Sequence, residues 1–226
     1  MGGRVPGSNA SDSTEIFQEG LRIPPLKLHE RGEPNETLWE MLATNVRIPV
    51  QVLGDVRAQL AACQIAERQF LEIVETYGEA ATRHYMAEVT DHAERMTRAE
   101  LRELPDGEWS FEDVIDDDGI ERGKPIPLRC SITKSGGSIA VDWAGSAEQV
   151  KGAINCTLSF TKAVSYAAIR SIMPSDLATN DGFFRAIEVS APEGTITNML
   201  PPAACAARAL TGFRMGDVAF GALAMM

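Results

Sequence analysis

From Val52 onward the apolar residues return at three- and four-residue steps, Val52, Val56, Leu60, Cys63, Phe70, Ile73, Val74 and Tyr77, until Gly78 interrupts them. That spacing gathers side chains into one stripe of a helix, so a long amphipathic α-helix is expected here. Ala81, Tyr85, Val89, Ala93 and Met96 continue the period in a second helix, and Thr97 with Glu100 has the form of a capping box that would open a short third piece reaching Leu104. A shorter helix is expected from Asn35 to Ala43, and two long helices meeting at a glycine suggest an antiparallel hairpin.

After Pro105 the period becomes two. Trp109, Phe111 and Asp113 alternate with polar neighbours, Ile126, Leu128, Cys130 and Ile132 face one way, and Ser135-Gly136-Gly137 turns the chain into Ile139, Val141 and Trp143. An antiparallel meander is expected, with Asp116-Asp117-Asp118 in a solvated turn that lacks the ligand spacing of an EF-hand. Asn155 or Thr157 can cap a helix running through Leu158, Val164, Ile169 and Ile172, which Pro174 stops. Ile187–Val189 and Thr195–Ile196 suggest two further strands around the turn Pro192-Glu193-Gly194, and 212–226 reads as an apolar, helix-like segment. The expected class is α+β, a long helical hairpin followed by antiparallel strands and further helix and strand units. Its expected divisions are an ordered loop region at 1–34, a helical hairpin region at 35–104 and a mixed region at 105–226 that is incomplete at its C-terminal end. The segment 212–226 runs on without a capping glycine or a stop signal, and the stretch from Gly145 holds 12 charged residues in 82, too few to cover a free surface. These features lead to the expectation of missing chain, a missing partner, or both.

Charge narrows the partners. The net charge of −11 resides in the first half, where residues 1–113 carry 21 acids and 11 bases, against 11 and 10 in the remainder. With no cluster of Lys or Arg, the chain is a poor match for nucleic acid or an anionic membrane surface, and no stretch has the length of a membrane span or the layout of a signal peptide. A cytoplasmic location is expected. Cys63, Cys130, Cys156 and Cys205 form no Cys-x-x-Cys pair and read as reduced, mostly buried thiols.

The common nucleotide signatures are absent, since there is no Gly-x-x-x-x-Gly-Lys-Ser/Thr loop and no Gly-x-Gly-x-x-Gly, so any ATP chemistry would come from a partner. Ser131/Lys134 and Ser159/Lys162 match Ser-x-x-Lys, a pattern too short to mark a nucleophile, and His84, Glu88 and His92 read as a solvated helix face rather than metal ligands. The richest polar region is the N-terminal loop, where Asp12, Ser13, Thr14, Glu15, Gln18 and Glu19 surround Ile16 and Phe17, with glycines on both sides that would let the backbone approach a ligand closely. Equally, Ser13 or Thr14 would cap a helical turn and Glu15 and Glu19 would be solvated. Asp142-Trp143-Ala144-Gly145-Ser146, with Gly152 and Asn155, puts small and polar residues where a strand gives way to a helix, a place for a ligand or for caps. Arg170, Arg185 and Arg208 lie among apolar residues and suggest structural or intersubunit ion pairs.

Six strings, in order along the chain, resemble the hydantoinase B/oxoprolinase family. They are Gly2-Gly3-x-x-Pro6-Gly7-Ser8, Thr14-Glu15-Ile16-Phe17-Gln18-Glu19-Gly20-Leu21-Arg22-Ile23-Pro24-Pro25, Asp142-x-x-Gly145-Ser146, Gly152-x-Ile154-Asn155-Cys156, Phe184-Arg185-x-Ile187-Glu188-Val189 and Ala191-Pro192-Glu193-Gly194. The resemblance implies one subunit, or one fused half, of an ATP-dependent amidohydrolase that opens cyclic amides such as hydantoin, N-methylhydantoin or 5-oxoproline. It implies a hydantoinase A-type partner that binds ATP and phosphorylates the ring carbonyl oxygen, in a hetero-oligomer. It also implies a divalent metal, Mn, Zn or Mg, whose His-x-x-Asp string would lie just before Gly2-Gly3, upstream of Met1, so that this chain alone would be inactive and would hold no catalytic metal. Thr14, Glu15, Gln18 and Glu19 are the expected catalytic positions, with Asp142 and Asn155 lining the substrate site. Acetone and acetophenone carboxylases resemble the same subunit pair, so a carboxylase subunit, or a noncatalytic assembly module, are the competing expectations.

Overall fold

The structure, a computed structural model, describes residues 2–5 and 9–226; the expected motif residues Pro6, Gly7 and Ser8, and Met1, lie outside them. The chain is α+β, as its periodicities required. A two-residue hairpin, β1 (His29–Glu30) and β2 (Glu33–Pro34), leads into α1 (Glu36–Thr44), which Asn35 caps by accepting the Leu38 amide at 3.1 Å. The long helices follow, α2 (Pro49–Tyr77) and α3 (Glu79–Glu103), joined by Gly78 at φ 82°. Only glycine takes that left-handed conformation without strain, so the break is written into the residue.

Two helical expectations change. Thr97 opens no new helix, because its buried hydroxyl donates to the Ala93 carbonyl at 2.7 Å inside an unbroken α3. The apolar stripe of α2 is not covered either: no residue of α2 is buried, residues 61–73 are all exposed, and Cys63 is the one exposed thiol of the four. The two helices meet at Gly78 without burying each other along their length.

The core is the four-stranded sheet β3-β4-β5-β6. Strands β3 (Gly107–Ile115), β4 (Ile126–Ser135) and β5 (Ser138–Asp142) form the expected antiparallel meander, and β6 (Ile187–Ser190) joins β5 in parallel. A parallel neighbour needs a long crossover, and α4 (Leu158–Ser171) with α5 (Asp181–Arg185) supply it. Ile126, Leu128, Cys130, Ile132, Ile139, Val141, Ile187 and Val189 are buried on one face, while Arg129, Thr133, Ser135, Ser138 and Glu188 keep the alternate positions exposed. The last helix, α6 (Arg208–Leu223), buries Met215, Val218, Ala219 and Ala222 and ties itself to β3 through Arg214 and Asp113 at 2.8 Å. It begins four residues before the expected segment. Thr157, not Asn155, caps α4, and Thr195 forms only isolated bridges with Glu148 and Asn198 in place of a strand. Trp143 is fully buried and its indole donates to Ser165 on α4 at 2.9 Å, which fixes the crossover helix over the end of β5.

Helix α5 lies against α3 so closely that a Cβ on Gly182 would overlap the Thr90 carbonyl. Arg185 completes that contact by pairing with Asp91 at 2.9 Å, Glu94 at 3.4 Å and Asp181 at 3.0 Å. Arg170 and Arg208 make no ion pair among the described residues. Arg170 donates to Thr179 and to the carbonyls of Met173, Pro174, Ser175 and Leu177, closing the loop after α4, and Arg208 donates to the Cys205 carbonyl while lying 5.5 Å from the centre of the Phe160 ring. Among the described residues no helix is long and apolar enough to cross a membrane.

The acidic turn is only partly solvated. Asp118 is buried, and its carboxylate accepts the amides of Ile120 at 2.9 Å, Glu121 at 2.6 Å and Gly152 at 2.9 Å. Burial opposes its ionisation, but these backbone donors outweigh that effect and hold its carboxyl below the usual range. A carboxyl depressed in the folded state stabilises the fold above its unfolded pKa, near 4, and loses that contribution as pH falls through its folded value. Asp118→Ala is therefore expected to lose about 2–3 kcal/mol of stability at pH 7. Urea unfolding across pH checks this, and the gap between the two proteins narrows as the pH drops below about 4.

Candidate functional site

Three irregular segments meet beside the sheet: the N-terminal loop, the β5–α4 connection, and the loop that leads into α6. The first enters through a glycine pair. Gly2 bridges Gly20, the Arg4 amide donates to the Gln18 carbonyl at 2.8 Å, and Arg47 donates to the carbonyls of Gly3 and Arg4. A Cβ on Gly2 would overlap the Asn45 carbonyl, and one on Gly3 would overlap that of Glu19. The close approach these glycines allow is thus to the protein's own backbone, not to a ligand.

Beyond them the loop folds into a 3-10 turn, Ile16–Glu19. Gln18 accepts the Thr14 amide at 2.9 Å, and its side-chain amide lies 3.5 Å from the Thr14 hydroxyl, so Gln18 rather than Ser13 or Thr14 closes the turn. Arg4 pairs with Asp12 on the exposed side. Glu15 is exposed, and no hydrogen bond or ion pair engages its carboxylate among the described residues.

Glu19, which could have been solvated, is not. One carboxylate oxygen accepts the amides of Cys205 and of Ala206, the latter at 2.7 Å, and the other accepts the Cys205 thiol at 3.5 Å. The Ile16 amide donates to the Pro202 carbonyl at 2.8 Å, and the Ile16 side chain packs on Met199, Ala203 and Cys205. The loop is therefore docked on the residues just before α6 by a charge-assisted pair and an apolar contact.

Asn155 ties in the second segment. It is fully buried; its carbonyl oxygen accepts the Val150 amide at 2.8 Å, while its NH₂ group donates to Val150, Gly152 and Ala204 at 2.8, 3.0 and 2.9 Å. Both its ends are thus spent on backbone, and Asn155 joins the β5–α4 connection to the loop that Glu19 grips. The Ala207 amide donates to the Ala153 carbonyl at 2.8 Å and the Thr211 hydroxyl to that of Ile154 at 2.6 Å, completing the seam. Asp142 stands apart at the end of the sheet, accepting the Ser190 hydroxyl at 2.6 Å and the Ala144 amide at 3.3 Å. The structure thus brings Thr14, Glu15, Gln18, Glu19 and Asn155 into one assembly and leaves Asp142 among the strands.

Ser13, expected in the polar loop as a candidate cap, takes a different place. It is fully buried, and its hydroxyl oxygen is the one buried side-chain polar atom without a hydrogen-bond partner among the described residues. Residue type alone could not reveal this, since the missing partner is a property of the packed loop. The thiols nearby are no nucleophiles: burial, and then Glu19, push Cys205 up to about 11, and burial pushes Cys156 up to about 12, so both are protonated at neutral pH. No group of three or more His, Cys, Asp or Glu side chains among the described residues could hold a metal ion.

Comparison with known proteins places this assembly in context. The profile described as hydantoinase B/oxoprolinase matches residues 1–226. The caprolactamase subunit beta of Pseudomonas jessenii is 33% identical over 205 residues, covering 90% of this chain and 35% of that protein. A crystal structure of ATP-dependent caprolactamase from Pseudomonas jessenii superposes with a TM-score of 0.92 at 31% identity over 99% of this chain and 38% of that one. The nucleotide-free acetone carboxylase structure shares the fold, with a TM-score of 0.80 at 20% identity over 92% of this chain and 29% of that one. The chain thus spans less than half the length of the relatives it matches.

Asn155→Ala is expected to cost about 3 kcal/mol, because the Val150 and Ala204 backbone groups lose their partner in a buried place, whereas Ser13→Ala is expected to leave stability unchanged or raise it by up to about 1 kcal/mol. Chemical denaturation of both variants checks the contrast.

Proposed function

The chain belongs to the hydantoinase B/oxoprolinase family, and we propose that it forms part of the subunit of an ATP-dependent amidohydrolase that hydrolyses a cyclic amide once a hydantoinase A-type partner has activated it. The observation that carries this reading is the hydantoinase B/oxoprolinase profile matching residues 1–226, together with the fold shared with ATP-dependent caprolactamase over 99% of the chain. The absence of a phosphate-binding loop in this sequence agrees with a nucleotide bound elsewhere.

The chemical logic is that of a poor electrophile made reactive. Resonance in the ring amide disfavours attack by water. Phosphoryl transfer from ATP to the carbonyl oxygen, on the partner, turns that oxygen into a leaving group. Water then bonds to the carbonyl carbon, and the ring C–N bond breaks as the nitrogen gains a proton, leaving an acyl phosphate. A second water bonds to that carbon, the carbon–oxygen bond to the phosphate breaks, and carboxylate and inorganic phosphate are released. We assign the water-facing role to Glu15, because its carboxylate is exposed and unengaged. A carboxylate so placed can take a proton from attacking water. Thr14 and Gln18 hold the turn that presents Glu15, and Glu19 positions the loop through Cys205 and Ala206. Asn155 acts through the seam rather than by touching substrate. Among the described residues no group of three or more His, Cys, Asp or Glu side chains could hold a metal ion; a divalent ion in the active subunit would take its ligands from outside them.

The test reconstitutes the subunit that contains this chain with a hydantoinase A-type subunit, ATP and a set of cyclic amides, and in parallel with a ketone and bicarbonate. Ring opening that depends on ATP and on the partner is expected, with kcat for Glu15→Gln lower by about 10²–10⁴-fold. Turnover by the chain alone, consumption of ketone and bicarbonate in place of amide, or a Glu15→Gln rate within twofold of wild type would contradict the proposal.

A further inference from the structure

A cavity of about 600 Å³ opens where the β6 edge of the sheet meets α4. None of the residues of the site described above lines it. Its charged groups are Lys162 on α4, Arg185 at the end of α5 and Glu188 on β6, with Tyr166 one helical turn from Lys162.

The charges sort into spent and unspent. Arg185 already holds Asp91, Glu94 and Asp181. Lys162 is half-buried and Glu188 exposed; neither forms an ion pair among the described residues, and they do not pair with each other although both line one cavity. Ser159 does not engage Lys162 either, since its hydroxyl lies 3.0 Å from that of Thr157. The Tyr166 ring is fixed against Phe184, with centroids 4.5 Å apart, which gives the cavity a rigid wall.

A cation and an anion held apart across a polar cavity suit a ligand that carries both charges. A simple dianion would meet Glu188 without compensation, and an apolar ligand would leave both charges unused while covering the half-buried Lys162. We propose that this cavity binds a short zwitterion, its carboxylate on Lys162 and its ammonium on Glu188. Hydrolysis of a lactam creates such a molecule, for it leaves a carboxylate at one end of the opened ring and an amine at the other. The cavity is accordingly a second site for the ring-opened product, apart from the loop that carries Glu15. This identification of the ligand rests on the proposed ring-opening activity.

The probe is 6-aminohexanoate, titrated into the isolated chain by calorimetry with no ATP and no partner, beside hexanoate and hexylamine, which each keep one of its two charges. Saturable binding of 6-aminohexanoate is expected, at least tenfold tighter than either control, with the preference lost in both Lys162→Gln and Glu188→Gln. Neither side chain is part of the buried core, and matching circular dichroism and thermal unfolding would establish that the variants are folded. No binding of 6-aminohexanoate, equal binding of all three compounds, or binding unchanged in both variants would overturn the proposal. Because no turnover is measured, failure here leaves ring opening standing, and failure of the reconstituted assay leaves the binding result intact.

Discussion

The candidate site depends on a short stretch of backbone, residues 204–206, being held from two sides at once. Asn155 takes the Ala204 carbonyl, and Glu19 takes the amides of Cys205 and Ala206. Each grip is strong for its own reason. The Asn155 amide is wholly buried and both its ends are satisfied, so losing it would strand several backbone groups in a dry place. The Glu19 bonds are charge-assisted and reach across 186 residues of sequence. The N-terminal loop has little hydrogen-bonded structure of its own beyond one 3-10 turn, so its place depends on these bonds together with those of Ile16 to Pro202 and of Arg47 to Gly3 and Arg4.

That arrangement explains the division of labour in the fold. The sheet and α6 provide a rigid floor, and the three irregular segments lie where their free amides and carbonyls can be used. Asp118 extends the same logic, since its carboxylate reaches the Gly152 amide and so braces the connection that Asn155 organises. The glycines at positions 2, 3 and 152 each remove a side chain where two backbones pass in near contact.

Much of the floor was legible in the residues. The alternation of Ile126, Leu128, Cys130 and Ile132, the break at Gly78 and the short helix beginning near Asn35 are local signals, and each is realised locally. What stayed hidden depends on partners distant in sequence. Glu19 looks like any solvated acid until Cys205 is beside it, and Asn155 looks like a helix cap until Ala204 competes for its amide. Thr97 misled in the opposite direction, for a capping-box spacing can also sit inside a helix, where the hydroxyl bonds back to the preceding turn. The uncovered stripe of α2 shows the same limit, since periodicity reports which residues could be buried together and not whether anything buries them.

Native-state hydrogen exchange on Glu19→Ala tests most directly whether one carboxylate docks the candidate loop. The account predicts that the amides of Cys205 and Ala206 exchange at least tenfold faster together with those of Ile16 and Arg4, which bond to Pro202 and Gln18, while the amides of β4 and β5 keep their wild-type rates. Faster exchange at Cys205 and Ala206 alone, with Ile16 and Arg4 unchanged, would show that the loop holds its place without Glu19 and would contradict it.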